Sequence, residues 1–242
     1  MVKRHHTVEI EHVIRTGGLS MKVKFAVIVF LVTFTMSGCV YVQKAKRADE
    51  LELENQNLQN RIAWLQTEKA KEIEQVVKQK DKQLSELEKA KLELGEALKK
   101  EIGDYKAKLE MTERGLVVTF LSEVFFDSGK DIIREGGKES IRKVAEVLNR
   151  DVPNSNVAIE GHTDNQLIKY SGWKTNWELS SARALVVVHY FIDECKVAPT
   201  RLSANGYGEF RPVAANDTEE NMQKNRRVEI VILPSKISKI TK

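Results

Sequence analysis

Apolar positions give the chain three successive textures. Phe25 to Met36 is an unbroken run of twelve apolar or small residues. From Gln43 to Glu113 apolar residues recur at spacings of three and four in two runs. The first is Leu51, Leu58, Ile62 and Leu65, and the second is Ile73, Val77, Leu84, Leu87, Leu94, Leu98 and Tyr105. That is the period of one helical face, and it predicts a long helix. Beyond Arg114 the pattern breaks into short runs separated by turn residues. Gly115–Leu121 reads as a strand, and Lys138–Asn149 as an amphipathic helix with Ile141, Val144, Ala145 and Leu148 on one face. A strand at Asn156–Glu160, a helix at Asn176–Glu194, a strand at Arg201–Gly206, a loop and a strand at Arg227–Leu233 complete the series. Alternation of strands and helices in one small domain predicts a sheet covered by helices.

The middle stretch is a solvated rod by composition. Its 71 residues hold no proline, glycine only at Gly95 and Gly103, and 15 basic against 16 acidic side chains. The step from Leu65 to Ile73 is eight residues, so the heptad register slips once, and Asn55, Lys80, Lys91 and Glu101 interrupt the seam. A weak coiled coil that makes a homo-oligomer through residues 43–113, or a lone helix, fits this pattern. At about 1.5 Å per residue such a helix would extend roughly 100 Å as a spacer.

The first texture reads as an address. Lys22 and Lys24 precede the apolar run, and Ser37, Gly38 and Cys39 follow it, which is the anatomy of a secretory signal. The cysteine after Met36-Ser37-Gly38 resembles the lipobox of bacterial lipoproteins, which implies lipidation of Cys39 and membrane attachment through its acyl chains. Met21 is then the expected start of translation, with residues 1–20 a misassigned extension and 21–38 the signal peptide. A competing reading takes Phe25–Gln43, nineteen residues without charge, as one membrane-spanning helix. Cys39 and Cys195 sit in such different contexts that they make neither a disulfide scaffold nor a zinc site.

Charge narrows the function classes. Lys and Arg number 39 and Asp and Glu 35, so 31% of the chain is charged at a net +4, which excludes a multi-span membrane protein and argues against a dedicated nucleic-acid binder. There is no nucleophile elbow, phosphate loop or carboxylate pair with hydrolase logic, so no enzyme, catalytic residue or cofactor is expected.

Four ordered runs carry a family resemblance: IEGHTDN (Ile159–Asn165), NWELSSARA (Asn176–Ala184), GYGEFRPVAAN (Gly206–Asn216) and NRRVEI (Asn225–Ile230), with FFDSGK (Phe125–Lys130) ahead of them. Together they resemble the OmpA-like peptidoglycan-binding domain, the module shared by OmpA, Pal lipoproteins and the flagellar stator protein MotB. The resemblance covers residues 114–235 and leaves 236–242 as a basic tail. It implies an α+β fold of βαβαβ type, a mixed sheet covered by helices, preceded by the long helix. It also implies binding of the diaminopimelate in the peptidoglycan stem through Asp164 and Arg183. Gly161, His162, Thr163, Asn165, Asn176, Leu179, Ser180, Asn225 and Arg226 are the expected supports of that pocket.

The chemistry agrees with this pairing. Arg183 offers a planar fork to a carboxylate and Asp164 an acceptor to an ammonium, which is what a zwitterionic carbon requires. Thr175 and Glu178 have capping-box spacing, which would fix the helix that bears Arg183. An internal Asp164–Arg183 ion pair is the purely structural alternative. His162 and Asp164, two apart on a strand, hint at a metal, but no third ligand stands at suitable spacing, so no metal is expected. Eighteen residues separate Asp164 from Arg183, a longer connection than in OmpA or Pal and more like the MotB branch. Tyr170, Gly172 and Trp173 fall in it, and Trp173 or Trp177 could cover the site. Arg227 should face away from Arg226, and Cys195 reads as a small buried hydrophobe.

Two whole-protein readings follow. The first is a non-enzymatic tether: a lipoprotein of the Gram-negative outer membrane, facing the periplasm, whose C-terminal domain holds peptidoglycan. Val40 after the cysteine fits export to that membrane. The second is a MotB-like inner-membrane stator subunit, which would need an acidic residue in its spanning helix. Residues 25–43 contain neither Asp nor Glu.

Overall fold

The computed structural model describes residues 21–168 and 172–235, leaving aside the side chains of Lys24, Thr35, Ser37 and Cys39. The readings placed on residues 1–20, on Tyr170, on the tail 236–242 and on the thiol of Cys39 therefore lie outside the described residues. The chain divides into two units, Met1–Lys71 and Glu72–Lys242. Helix α1, Met21–Ala97, contributes to both.

In the first unit the described residues are helical throughout, with Leu51, Leu58, Ile62, Trp64 and Leu65 all exposed. A stripe this narrow cannot bury itself on a single helix. Among the described residues no helix is long and apolar enough to cross a membrane.

In the second unit the end of α1 belongs to the folded domain. Leu87, Ala90, Leu94 and Leu98 recur at helical spacing and are buried in the main core. Two ion pairs fasten the same turns: Lys89 Nζ to Asp151 Oδ1 at 2.9 Å and Arg150 Nη2 to Glu93 Oε2 at 3.0 Å. A short helix α2, Lys99–Gly103, follows, and Tyr105 then takes a φ of 55° that reverses the chain. Strand β1, Ala107–Thr112, comes next, where the sequence pattern predicted continued rod. Its Ala107, Leu109 and Met111 alternate with Lys108 and Glu110, so one face of the strand meets the core and the other meets water. A two-residue loop closed by Thr112 Oγ1, which donates to the Gly115 carbonyl at 3.1 Å, leads to β2, Gly115–Leu121. Gly115 has a φ of +128°, and a Cβ there would lie 2.2 Å from the Ile232 carbonyl oxygen, so both conformation and space demand glycine.

The remaining elements are α3 (Ser122–Phe125), α4 (Glu135–Arg150), β3 (Val157–Gly161), α5 (Asn176–Asp193), a 3₁₀ turn (Pro199–Arg201), β4 (Leu202–Gly206), α6 (Glu219–Asn225) and β5 (Arg227–Ile232). Helix α6 lies in the stretch read as loop from the sequence. Thr218 caps it by accepting from the Asn221 amide at 3.2 Å, and Glu219 and Glu220 favour the positive end of its dipole. Among the described residues five strands form one sheet in the order β1-β2-β5-β3-β4, in which only β3 and β4 are parallel. This is the expected mixed sheet of an α+β domain, enlarged by β1.

One face of the sheet packs on α4, α5 and the end of α1, around Phe120, Phe125, Ile141, Leu148, Ile159 and Phe191. The other face carries a small apolar group, Val117, Ala158 and Val231 with Leu233, and beside it a set of buried charges. Both faces of β3 and β5 are thus buried, which places the chemistry at their ends.

Candidate functional site

The carboxyl end of β3 and the first turns of α5 come together because two glycines let them. A Cβ on Gly161 would lie 2.1 Å from the Ser180 carbonyl oxygen, and one on Gly206 would lie 2.1 Å from Ser181 Oγ. Ser180, fully buried, locks the contact: its hydroxyl donates to the Trp177 carbonyl at 3.1 Å and accepts from the Gly208 amide at 2.9 Å. Thr175 caps α5 by accepting from the Glu178 amide at 3.2 Å. Glu178 reciprocates one residue earlier than a capping box requires, accepting from the Lys174 amide at 2.8 Å.

Asp164 sits three residues past β3 with 6% of its surface exposed. Its Oδ1 accepts from the Gln166 amide at 3.0 Å, and its Oδ2 pairs with Arg226 Nη1 at 2.6 Å. Arg226 also pairs with Glu219, so α6 and the loop after β3 meet at this guanidinium. Arg183 projects from α5 and is equally buried at 5%. Its Nε donates to the Lys130 carbonyl at 2.9 Å and its Nη2 to the Asp127 carbonyl at 3.2 Å, while the guanidinium carbon stands 5.1 Å over the Phe126 ring. Burial pushes the Arg183 pKa down to about 10, against the pull of Asp131 and Asp164, so it is a cation at neutral pH.

No ion pair joins Asp164 to Arg183 among the described residues, so the internal staple considered from the sequence is not what holds them. Asp164 is paired with Arg226 instead. Arg183 is a buried cation held by two main-chain carbonyls, with no carboxylate paired to it and no hydrogen bond from Nη1 among the described residues. A guanidinium with that inventory has donor capacity left over that an anion could take. The loop that supplies the two carbonyls also lines a cleft of about 430 Å³, together with Asp131, Ile132, Gly172 and Trp173. Trp173 is therefore at this cleft, whereas Trp177 stacks on Phe210 with ring centroids 5.3 Å apart.

The other expected supports divide into groups. Asn176 Nδ2 donates to Glu209 Oε2 at 2.7 Å and to the Gln166 carbonyl at 3.1 Å, tying the loop after Asp164 to the turn after β4. Thr163 is buried and bonds the Asp164 carbonyl through Oγ1 at 2.9 Å. Leu179 is buried beside Ser180 on α5, and Asn165 is exposed. Asn225 is wholly buried and uses its entire amide on the 213–216 loop, accepting from Val213 and Ala214 and donating to the Ala214 carbonyl and to Asn216 Oδ1. It shapes that loop and does not face Asp164.

His162 departs from the expected arrangement. It does not share a direction with Asp164 but packs against Tyr207, ring centroids 5.2 Å apart and planes tilted by 31°, and lies with Nε2 3.9 Å from Glu229 Oε1. Burial, helped by Arg227, Arg211 and Arg114 and opposed by Glu229, pushes its pKa down to about 4. The pair His162 and Asp164 gains no third ligand among the described residues, but His162 stands in a different cluster that leaves Asp164 out. Glu160, His162 and Glu229 bring one ligand atom each within 4.8 Å of the others. Arg227 does turn to the other side from Arg226, with Nε 2.7 Å from Glu229 Oε1. Cys195 is half-buried, and burial pushes its thiol pKa up.

The mixed sheet with its covering helices is that of an OmpA-like domain, and residues 125–226 match the OmpA family. The chain is 35% identical over 212 residues to the uncharacterized protein YtxE of Bacillus subtilis, covering 86% of this chain and 83% of that one. It belongs to the family of that protein. It is also 42% identical over 151 residues to motility protein B of Bacillus subtilis, covering 62% of this chain and spanning 57% of that relative's length. Among solved structures it is similar to the cell wall anchor of the T6SS from Pseudomonas aeruginosa, at 29% identity and a TM-score of 0.54, covering 59% of this chain and 97% of that one.

Proposed function

We propose that the protein is a MotB-like, membrane-associated anchor whose C-terminal domain binds peptidoglycan without enzymatic action. The observation that carries this reading is Arg183, a buried cation fixed by two backbone carbonyls, with no carboxylate paired to it among the described residues and near enough to Asp164 to feel its charge. A diaminopimelate residue presents a carboxylate and an ammonium on one carbon, and a cation and an anion side by side fit both. The similarity to a motility protein and to a cell wall anchor supports the same reading. Asp164 takes the ammonium on a carboxylate whose direction is set by Arg226. Each contact is modest, about 1.5–3 kcal/mol for a charged hydrogen bond, and many copies on one membrane make the link firm.

The test is co-sedimentation of the full chain with purified diaminopimelate-type sacculi, beside Asp164→Ala and Arg183→Ala variants of verified fold. The expected result is that wild type pellets and both variants remain in solution. A wild type that stays in solution sinks the reading.

Attachment at the other end has a second reading favoured by one observation. Phe25–Gln43 contains no Asp or Glu to carry an ion and includes Cys39 in a lipobox-like setting. An acylated Cys39 would make the protein an outer-membrane lipoprotein tether facing the periplasm, instead of a stator subunit of the inner membrane. Metabolic labelling with palmitate separates the two. Label lost in Cys39→Ser establishes the lipoprotein, and absence of label on the wild type leaves the inner-membrane form.

A further inference from the structure

The sheet face opposite the helices holds a group of side chains for which peptidoglycan binding has no use. Glu160 of β3 and Glu229 of β5 stand directly opposite each other in the antiparallel register, and both are buried. Like charges in that position repel unless a cation lies between them. In this structure the cation is Arg114, with Nη1 2.8 Å from Glu160 Oε2 and Nη2 2.9 Å from Glu229 Oε2. Beside the two carboxylates lies His162, 2% exposed, with neither ring nitrogen hydrogen-bonded among the described residues. Two opposed carboxylates and an unpartnered buried imidazole within 4.8 Å form a donor set.

We propose that Glu160, His162 and Glu229 bind one transition-metal dication of the Zn²⁺ type, with a fourth coordination position open. An imidazole with two carboxylates suits Zn²⁺ and its neighbours, whereas Mg²⁺ and Ca²⁺ prefer oxygen donors alone. A tetrahedral shell needs donor atoms roughly 3.3 Å apart at Zn–ligand lengths of about 2.0–2.2 Å, so the side chains must draw in by up to about 1.5 Å. Arg114 occupies the bridging place, and 45% of its side chain is exposed, so it can swing into solvent and yield that place. Arg227 remains on Glu229 Oε1 and orients that carboxylate from outside the shell. Tyr207, on which Arg211 lies at 3.7 Å, packs against the His162 ring in a tilted contact and holds it in place.

The experiment is equilibrium dialysis of the chelator-treated full chain against Zn²⁺ with metal analysis, run on wild type, His162→Gln, Glu229→Gln and Arg114→Gln. His5, His6, His12 and His189 are common to every variant, so the readout is the difference between them. The expected result is about one Zn²⁺ per chain in wild type that both ligand variants lack. Arg114→Gln, which frees both carboxylates from their resident cation, is expected to bind at least about tenfold more tightly. Equal uptake by wild type and the ligand variants overturns the proposal, as does absence of uptake by both wild type and Arg114→Gln. If the ligand variants fail to fold, the Arg114→Gln comparison decides alone, and affinity no higher than wild type overturns it. Sacculus binding is not part of the readout, so the outcome is independent of the wall-anchor reading.

Discussion

Replacement of Arg226 by alanine tests whether the aspartate of the site is held for its ligand or merely buried. The side chain of Asp164 is 8% exposed and that of Arg226 29%, and their 2.6 Å contact is the only ion pair of this carboxylate among the described residues. Removing one partner of a fully buried pair costs about 3–5 kcal/mol, whereas an exposed pair contributes about 0–1. Arg226 is partly solvated, and Asp164 keeps the bond from the Gln166 amide, so the expected loss lies between, at about 2 kcal/mol. Urea denaturation of wild type, Arg226→Ala, Asp164→Asn and the double variant measures it as a cycle. The two changes should couple by at least about 1 kcal/mol, because neutralising Asp164 removes the penalty that alanine at 226 creates. In the sacculus assay Arg226→Ala should weaken binding, less severely than Asp164→Ala. Additive stabilities together with undiminished wall binding by Arg226→Ala would refute the view that Arg226 sets Asp164.

Three further outcomes are expected. Gly161→Ala should destabilise the domain by about 3 kcal/mol or more in a denaturant melt, since its Cβ meets a backbone oxygen at 2.1 Å and overpacking against main chain cannot be relieved by a rotamer. Leu94→Ala, at a site with no exposed surface inside the main core, should cost about 2–5 kcal/mol, and a fragment that begins at residue 114 should fail to give a cooperative melt while one from residue 72 succeeds. Burial opposes the charge on Asp151, but Lys89 and Arg150 outweigh it and hold the carboxyl below its usual range. A depressed folded-state pKa gives stability that is present above about pH 4 and lost as pH falls further, so Asp151→Asn should flatten that acid limb of the stability profile.

The strands β2, β3, β4 and β5 were legible as short runs bounded by turn residues, and the helices α4 and α5 as apolar positions at helical spacing. Strand β1 was not, because Leu94, Leu98 and Tyr105 continue a helical spacing past the point where Tyr105 turns the backbone back. The period-two alternation of Ala107, Leu109 and Met111 is too short to compete with that longer pattern. Helix α6 did carry its start signal in Thr218, Glu219 and Glu220, but seven residues offer little amphipathic evidence. At the site, motif resemblance pointed to Asp164 and Arg183. It could not say that Arg226 pairs with the first and two carbonyls with the second, since those partners come from loops and elements distant in sequence. Glu160, His162 and Glu229 become neighbours only once β3 is paired with β5, a fact of topology that spacing along the chain does not contain.

The hold on Arg183 comes from the carbonyls of Asp127 and Lys130, and every residue type except for its side chain supplies the same oxygen. The identities of residues 127 and 130 are thereby uncoupled from the position of the guanidinium. Lineages can exchange both side chains, and with them the charge around the cleft, while the Arg183 guanidinium keeps its place. An insertion or deletion in the same loop, which shifts the carbonyls themselves, has no such freedom. Variation around this site should therefore accumulate as substitution and be purged as change of length.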